Sequence, residues 1–134
     1  MLNGFNIICE IIQQSKNVPF VIQLHNSRSG SSHYDLRFGN PHNLEELHSF
    51  ACPKNFLETI NKKTILAKTK MHNERWLSLP SYRLKEIDKG EVTIKIATSK
   101  YFELIFHGKV INGFYKLFRL MNTFREDRWL LAKS

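Results

Sequence analysis

A chain of 134 residues with 42% hydrophobic content is long enough to bury one core and too apolar to stay disordered, so residues 1–134 are expected to form a single domain. Lys and Arg total 20 against 12 Asp and Glu, for a formal charge of +8. That balance favours a polyanionic partner, nucleic acid before an anionic membrane, with an ordinary basic soluble protein as the plainer reading. Two cysteines, Cys9 and Cys52, are too few for a disulfide framework, and no apolar run approaches the roughly 18 residues of a membrane helix. The start, Met1-Leu2-Asn3-Gly4-Phe5, lacks the basic region of a secretory signal, so a cytoplasmic (or nuclear) protein that is not secreted and not in a membrane is expected.

In chain order, residues 5–15 carry apolar side chains at 5, 7, 8, 11 and 12, a spacing closer to a helix than a strand, and Asn17-Val18-Pro19 is expected to break it. Phe20–Leu24 alternates as a strand. A loop composition follows (Asn26, Ser27, Arg28, Ser29, Gly30, Ser31, Ser32), then a second strand over His33–Phe38, which predicts an antiparallel hairpin with His25 beside His33 and Asp35. Gly39–Asn43 reads as a loop, Leu47–Cys52 as a strand stopped by Pro53, and Asn55–Lys62 as a helical turn. Ile65–Met71 alternates. Strands are predicted at Arg83–Ile87, Glu91–Ala97, Tyr101–His107, Phe114–Met121 and Arg128–Ala132, with turns at Gly108 and Asn112-Gly113. Short strands spaced about ten residues apart predict a mainly β fold, a small closed or partly open β-barrel with few short helices. Phe102, Leu104, Phe106, Phe114, Leu117, Phe118, Trp129 and Leu131 are expected in its core, and Cys52 is expected to be a buried thiol.

The segment His33-Tyr34-Asp35-Leu36-Arg37-Phe38 carries the chemistry. Alternation on a strand puts imidazole, carboxylate and guanidinium on one face and three bulky hydrophobes on the other. His25, His33 and Asp35 offer two nitrogens and one oxygen, a set suited to Mn²⁺, Fe²⁺, Co²⁺ or Zn²⁺, and three protein ligands leave positions open as a catalytic site requires. The competing reading is a surface hairpin whose Asp35–Arg37 pair is a local ion pair.

The succession FVIQLH … HYDLRF, SFACPK, His72 with Trp76 four residues on, FELIFHGKVINGFYKLFRL and WLLAK resembles the 3′-phosphoesterase domain of DNA ligase D, in the same order from about Phe20 to Lys133. The resemblance implies a small β-barrel with a crescent-shaped cleft on its outside. It also implies a Mn²⁺-dependent enzyme that trims a 3′-terminal ribonucleoside and removes the 3′-phosphate from DNA or RNA ends during repair. It places His25, His33 and Asp35 as metal ligands, Arg37 and Lys54 on the phosphate, Gln23 beside the first histidine, and His72 acting on the phosphate or leaving group. Trp76 stands where the family has Tyr. It keeps an N–H donor and lacks an acidic hydroxyl. Other departures are one residue fewer between Ala67 and His72 and Lys70-Met71 in place of an acidic pair, and the partner expected beside DNA or RNA 3′ ends is a separate ligase or polymerase. Two further readings stand beside this one: a nucleic-acid end-binding module that recruits a ligase without turnover, and a phosphoesterase for cyclic or small-molecule phosphates. Lys62, Lys63, Lys68 and Lys70 either track a nucleic-acid backbone or form a solvated face. Trp76 either stacks on a terminal base or sugar, or lies in the core. His48 either lies near the site or does not, since Leu47 and Ser49 leave its facing open. His42 and His107 are expected to be structural or solvated.

Overall fold

The computed structural model describes residues 15–26, 29–77, 84–122 and 126–134. The predicted helix over 5–15 lies outside them apart from Ser15. Nine strands run through the described residues: β1 (Lys16–Asn26), β2 (Ser32–Asn40), β3 (Asn43–Cys52), β4 (Lys63–Lys68), β5 (His72–Asn73), β6 (Leu84–Ala97), β7 (Tyr101–His107), β8 (Asn112–Asn122) and β9 (Asp127–Lys133). One short helix, α1 (Phe56–Thr59), and a 3-10 turn (Glu74–Leu77) complete the set. All pairings are antiparallel, in the order β2-β1-β6-β7-β8-β9-β4-β3, and β3 pairs again with β2, so the sheet closes on itself as a barrel. Closure removes the free edges that an open sheet would expose. The short β5 is added beside β3.

Alternation fills the interior. Phe20 and Ile22 of β1, Leu36 and Phe38 of β2, Phe50 and Cys52 of β3, Leu104 and Phe106 of β7 and Trp129 and Leu131 of β9 form one buried cluster. Phe38 stacks on Phe50, and Phe20 meets Phe106 edge-on at 5.2 Å between centroids. Phe56 and Ile60, in and just after α1, join the same core. The Cys52 thiol is buried as expected, and that burial raises its pKa well above the ordinary range.

Several expectations shift. The first strand begins at Lys16 rather than at Phe20, so Pro19 lies within β1, opposite Glu91 of β6 and before pairing with β2 begins at Phe20. A proline without N–H is accepted where that side of the strand bonds to nothing. The two predicted strands Arg83–Ile87 and Glu91–Ala97 are one, β6. Asn112-Gly113 opens β8 rather than forming the turn, and Gly113 takes a φ of 110° that suits glycine. On β8 the fully buried residues are Tyr115 and Leu117, while Phe114 and Phe118 are half-buried. The run Phe114-Tyr115-Lys116-Leu117-Phe118 offers apolar residues to both faces, so local pattern leaves the choice open.

The β7–β8 turn is held from inside. The buried Asp88 carboxylate accepts the backbone N–H groups of Lys109, Val110 and Ile111 at 3.1, 2.9 and 2.9 Å, and that of Lys89 at 2.9 Å. Gly108 beneath it has no room for a side chain: a Cβ there would stand 2.7 Å from both Phe20 Cζ and the Ile111 carbonyl.

Candidate metal centre and phosphate cleft

The site occupies the outer face of β1, β2 and β3. Cross-strand partners share a face, and the register aligns His25 with His33, Gln23 with Asp35 and Ala51, and Arg37 with Ser49. Since Ile22, Leu36 and Phe50 point into the barrel, the alternate residues must point out. A register shift in the β1–β6 pairing falls at Ile22/Gln23, the kind of irregularity that re-aims side chains beside a site.

Three of the outward groups converge. One ligand atom from each of His25, His33 and Asp35 lies within 4.8 Å of the others. His25 Nδ1 is 3.6 Å from Asp35 Oδ2, His33 Nε2 is 3.3 Å from Asp35 Oδ1, and the imidazole centroids are 4.9 Å apart. Two imidazoles and a carboxylate at this spacing fit a divalent transition ion, and both rings remain partly exposed toward the open cleft.

Arg37 ties this cluster to the rest of the site. Its guanidinium donates from Nη2 to Asp35 Oδ2 (3.3 Å) and from Nε to Gln23 Oε1 (3.0 Å), and Nη1 lies 3.1 Å from His72 Nδ1. The Trp76 ring covers its flat face, 4.7 Å from Cζ to centroid. Gln23 spends its amide N–H on the Trp76 carbonyl at 2.7 Å, which pins the 3-10 turn over the sheet. Arg37 is therefore only 3% exposed although it sits on the outside of a barrel. Burial lowers its pKa, Asp35 opposes that shift, and arginine stays charged at neutral pH all the same.

His72 reaches this face through a slip in register. Phe50 pairs with Lys68 and Ala51 with Ala67, yet Leu47 pairs with His72 and Glu46 with Asn73. One additional residue has entered between β4 and β5. Without it, Met71 would stand opposite Leu47 and His72 would face away. Thr69 anchors the detour, donating its backbone N–H (2.9 Å) and hydroxyl (3.2 Å) to the Ser49 carbonyl.

The tautomer of His72 follows from its partners. Nδ1 faces Arg37 Nη1 and also lies 3.0 Å from Ser49 Oγ. Arginine has no acceptor, so Nδ1 accepts and the ring proton resides on Nε2. A second proton on Nδ1 would confront the guanidinium. Accordingly the His72 pKa is lowered, first by burial and then by the Arg37 charge, with Asp35 partly opposing. The neutral Nε2–H form therefore predominates at neutral pH.

The resulting cleft, about 270 Å³, is lined by His25, His33, Asp35, Arg37, Ala51, Thr69, Lys70, His72 and Trp76. Of the sequence-predicted residues, His25, His33, Asp35, Arg37, His72 and Trp76 line it, and Gln23 supports it from beneath. Lys54 does not line it. It stands at a separate depression of about 300 Å³ with Leu24, Ser32 and Tyr34, on the opposite side of the β1–β2 hairpin, because the chain leaves β3 at Pro53 toward α1. Lys70 takes a place in the cleft instead. Ser49 was missed by sequence reading, and only its register opposite Arg37 marks it. His48 is turned to the barrel interior, packed on Phe38 and Phe102 at 5.2 and 5.1 Å. His107 sits at the end of β7 with Nε2 3.0 Å from Thr93 Oγ1.

No protein-family model matches the chain, and no curated protein matches it. Among the described residues no helix is long and apolar enough to cross a membrane.

Proposed function

We propose that this chain is a divalent-metal-dependent phosphoesterase that removes the terminal phosphate from 3′ ends of DNA or RNA, similar to the 3′-phosphoesterase domain of DNA ligase D. One observation carries the reading: two imidazoles and a carboxylate converge in an open cleft beside a guanidinium and the β5 histidine, His72. His25, His33 and Asp35 would hold Mn²⁺, or Co²⁺ or Zn²⁺, and the ion would supply Lewis-acid neutralisation of charge on the phosphate oxygens. Arg37 has three of its five N–H groups engaged by Gln23, Asp35 and His72, and the remaining two are available to a phosphate oxygen. Water adds to phosphorus as the P–O bond to the ribose or deoxyribose breaks, the proton it loses ends on the departing 3′ oxygen, and the neutral Nε2–H of His72 supplies a hydrogen bond that steadies that oxygen as charge builds on it. The formal charge of +8 favours a polynucleotide over a small neutral ester.

The test is incubation of a 3′-phosphate oligonucleotide with the protein and Mn²⁺, scored for the 3′-OH product. Release that disappears in His33→Ala supports the assignment. Release that continues unchanged in that variant refutes it. A second reading, an end-binding module without turnover, is favoured by the Trp76 ring lying over Arg37 where the family's tyrosine would bring a hydroxyl. Tight binding of the same oligonucleotide with no product separates it from the first. A panel of cyclic and small-molecule phosphates tests the remaining alternative, and trimming of a 3′-terminal ribonucleoside is scored in the same assay.

A further inference from the structure

The cleft contains a cation that the resemblance does not supply. Lys70 lines it beside Asp35, Arg37 and His72, and is exposed. Its backbone is not free to wander, because Thr69 is tied twice to the Ser49 carbonyl on one side and His72 pairs with Leu47 on the other. Its ammonium charge is felt at His72, which it disfavours from taking a second proton. Among the described residues no carboxylate lies in salt-bridge contact with it. The one carboxylate lining the cleft, Asp35, is already shared among His25, His33 and Arg37.

The other cations are differently placed. Arg37 is buried, stacked and largely committed to protein partners. Lys54 belongs to the depression on the far side of the hairpin. Lys68 lies toward His48, where its charge is felt, and Lys62 and Lys63 stand near the end of α1 and the start of β4. The four lysines thus do not form one stripe, and only Lys70 reaches the cleft.

We propose that Lys70 is the specificity residue that captures the terminal phosphate of a polynucleotide, with Arg37 serving mainly to position Asp35 and His72. The idea rests on the phosphoesterase reading for its choice of ligand, a phosphate monoester at a 3′ end. A monoester carries about −1.5 to −2 charges near neutral pH, whereas each backbone diester carries one. An exposed ammonium lining the cleft therefore discriminates a phosphorylated end from a hydroxyl end, while a buried guanidinium with three of its five N–H groups already engaged contributes less to capture.

The experiment is fluorescence anisotropy with two labelled oligonucleotides that differ only in a 3′-phosphate or 3′-OH, in EDTA to stop turnover and remove any metal contribution. Wild type is expected to bind the phosphorylated end about tenfold more tightly. The preference should vanish in Lys70→Met and persist in Lys70→Arg, with equal thermal midpoints because the side chain is exposed. A preference retained in Lys70→Met, or none in wild type, overturns the proposal. Product release under Mn²⁺ is scored in parallel. A Lys70-dependent preference without release leaves this assignment standing and sinks the hydrolase reading. Release accompanied by a Lys70-independent preference does the reverse.

Discussion

His48 should make this barrel acid-sensitive. The ring lies between Phe38 and Phe102, and its Nδ1 is buried with no hydrogen-bond partner among the described residues. Burial, with smaller contributions from the charges of Lys68 and His42, pushes its pKa from 6.5 down to about 4. The folded protein therefore refuses a proton that the unfolded chain accepts below pH 6.5. The sign follows from linkage: the neutral ring costs nothing above the unfolded value, and stability falls as the pH drops from about 6.5 toward 4. Between pH 7 and pH 5 this single group should remove about 2 kcal/mol. The assay is urea unfolding at both pH values for wild type and His48→Leu, a change of similar volume that keeps the cavity filled. The remaining titratable groups are common to both proteins, so the difference between their pH dependences isolates His48. Wild type should lose about 2 kcal/mol more than the variant on acidification. Parallel losses would show that the folded ring takes up its proton near 6.5, as the unfolded chain does, and would refute the claim that burial keeps it neutral.

Further outcomes follow from the same geometry. Ser49→Ala removes the hydroxyl beside His72 Nδ1 and leaves Arg37 in place, so phosphate release should fall about 3- to 10-fold in kcat with KM little changed. Asp35→Ala should cost stability as well as activity, about 3 kcal/mol by chemical denaturation, because it leaves a buried guanidinium without its carboxylate. For that reason His33→Ala, at a partly exposed position, is the cleaner test of the metal site. Trp76→Tyr should raise turnover several-fold if the indole shields Arg37, and a loss of activity would instead make Trp76 a substrate contact. Gly108→Ala should lower stability by about 2 kcal/mol or more, read as a lower thermal midpoint, since the new methyl group collides with Phe20 and the turn carbonyl.

Local sequence determined which residues could share a face. Period-2 alternation in Phe20–Leu24 and His33–Phe38, joined by a loop of small polar residues, was sufficient to foresee the hairpin and the meeting of His25, His33, Asp35 and Arg37. It also identified most of the buried positions of β7 and β9. Tertiary structure alone decided the rest, because register and closure depend on strands distant in sequence. A one-residue slip between β4 and β5 turns His72 toward Arg37, and nothing between Ala67 and His72 announces it. The pairing of β2 with β3 makes Ser49 a partner of the site and sends His48 inward. The fold of the chain after Pro53 puts Lys54 on the other side of the hairpin, while the tether at Thr69 leaves Lys70 in the cleft. A strand's alternation tells which side chains travel together. Only the neighbours it acquires on closing the barrel tell whether that side is buried, covered by a tryptophan, or open to a ligand.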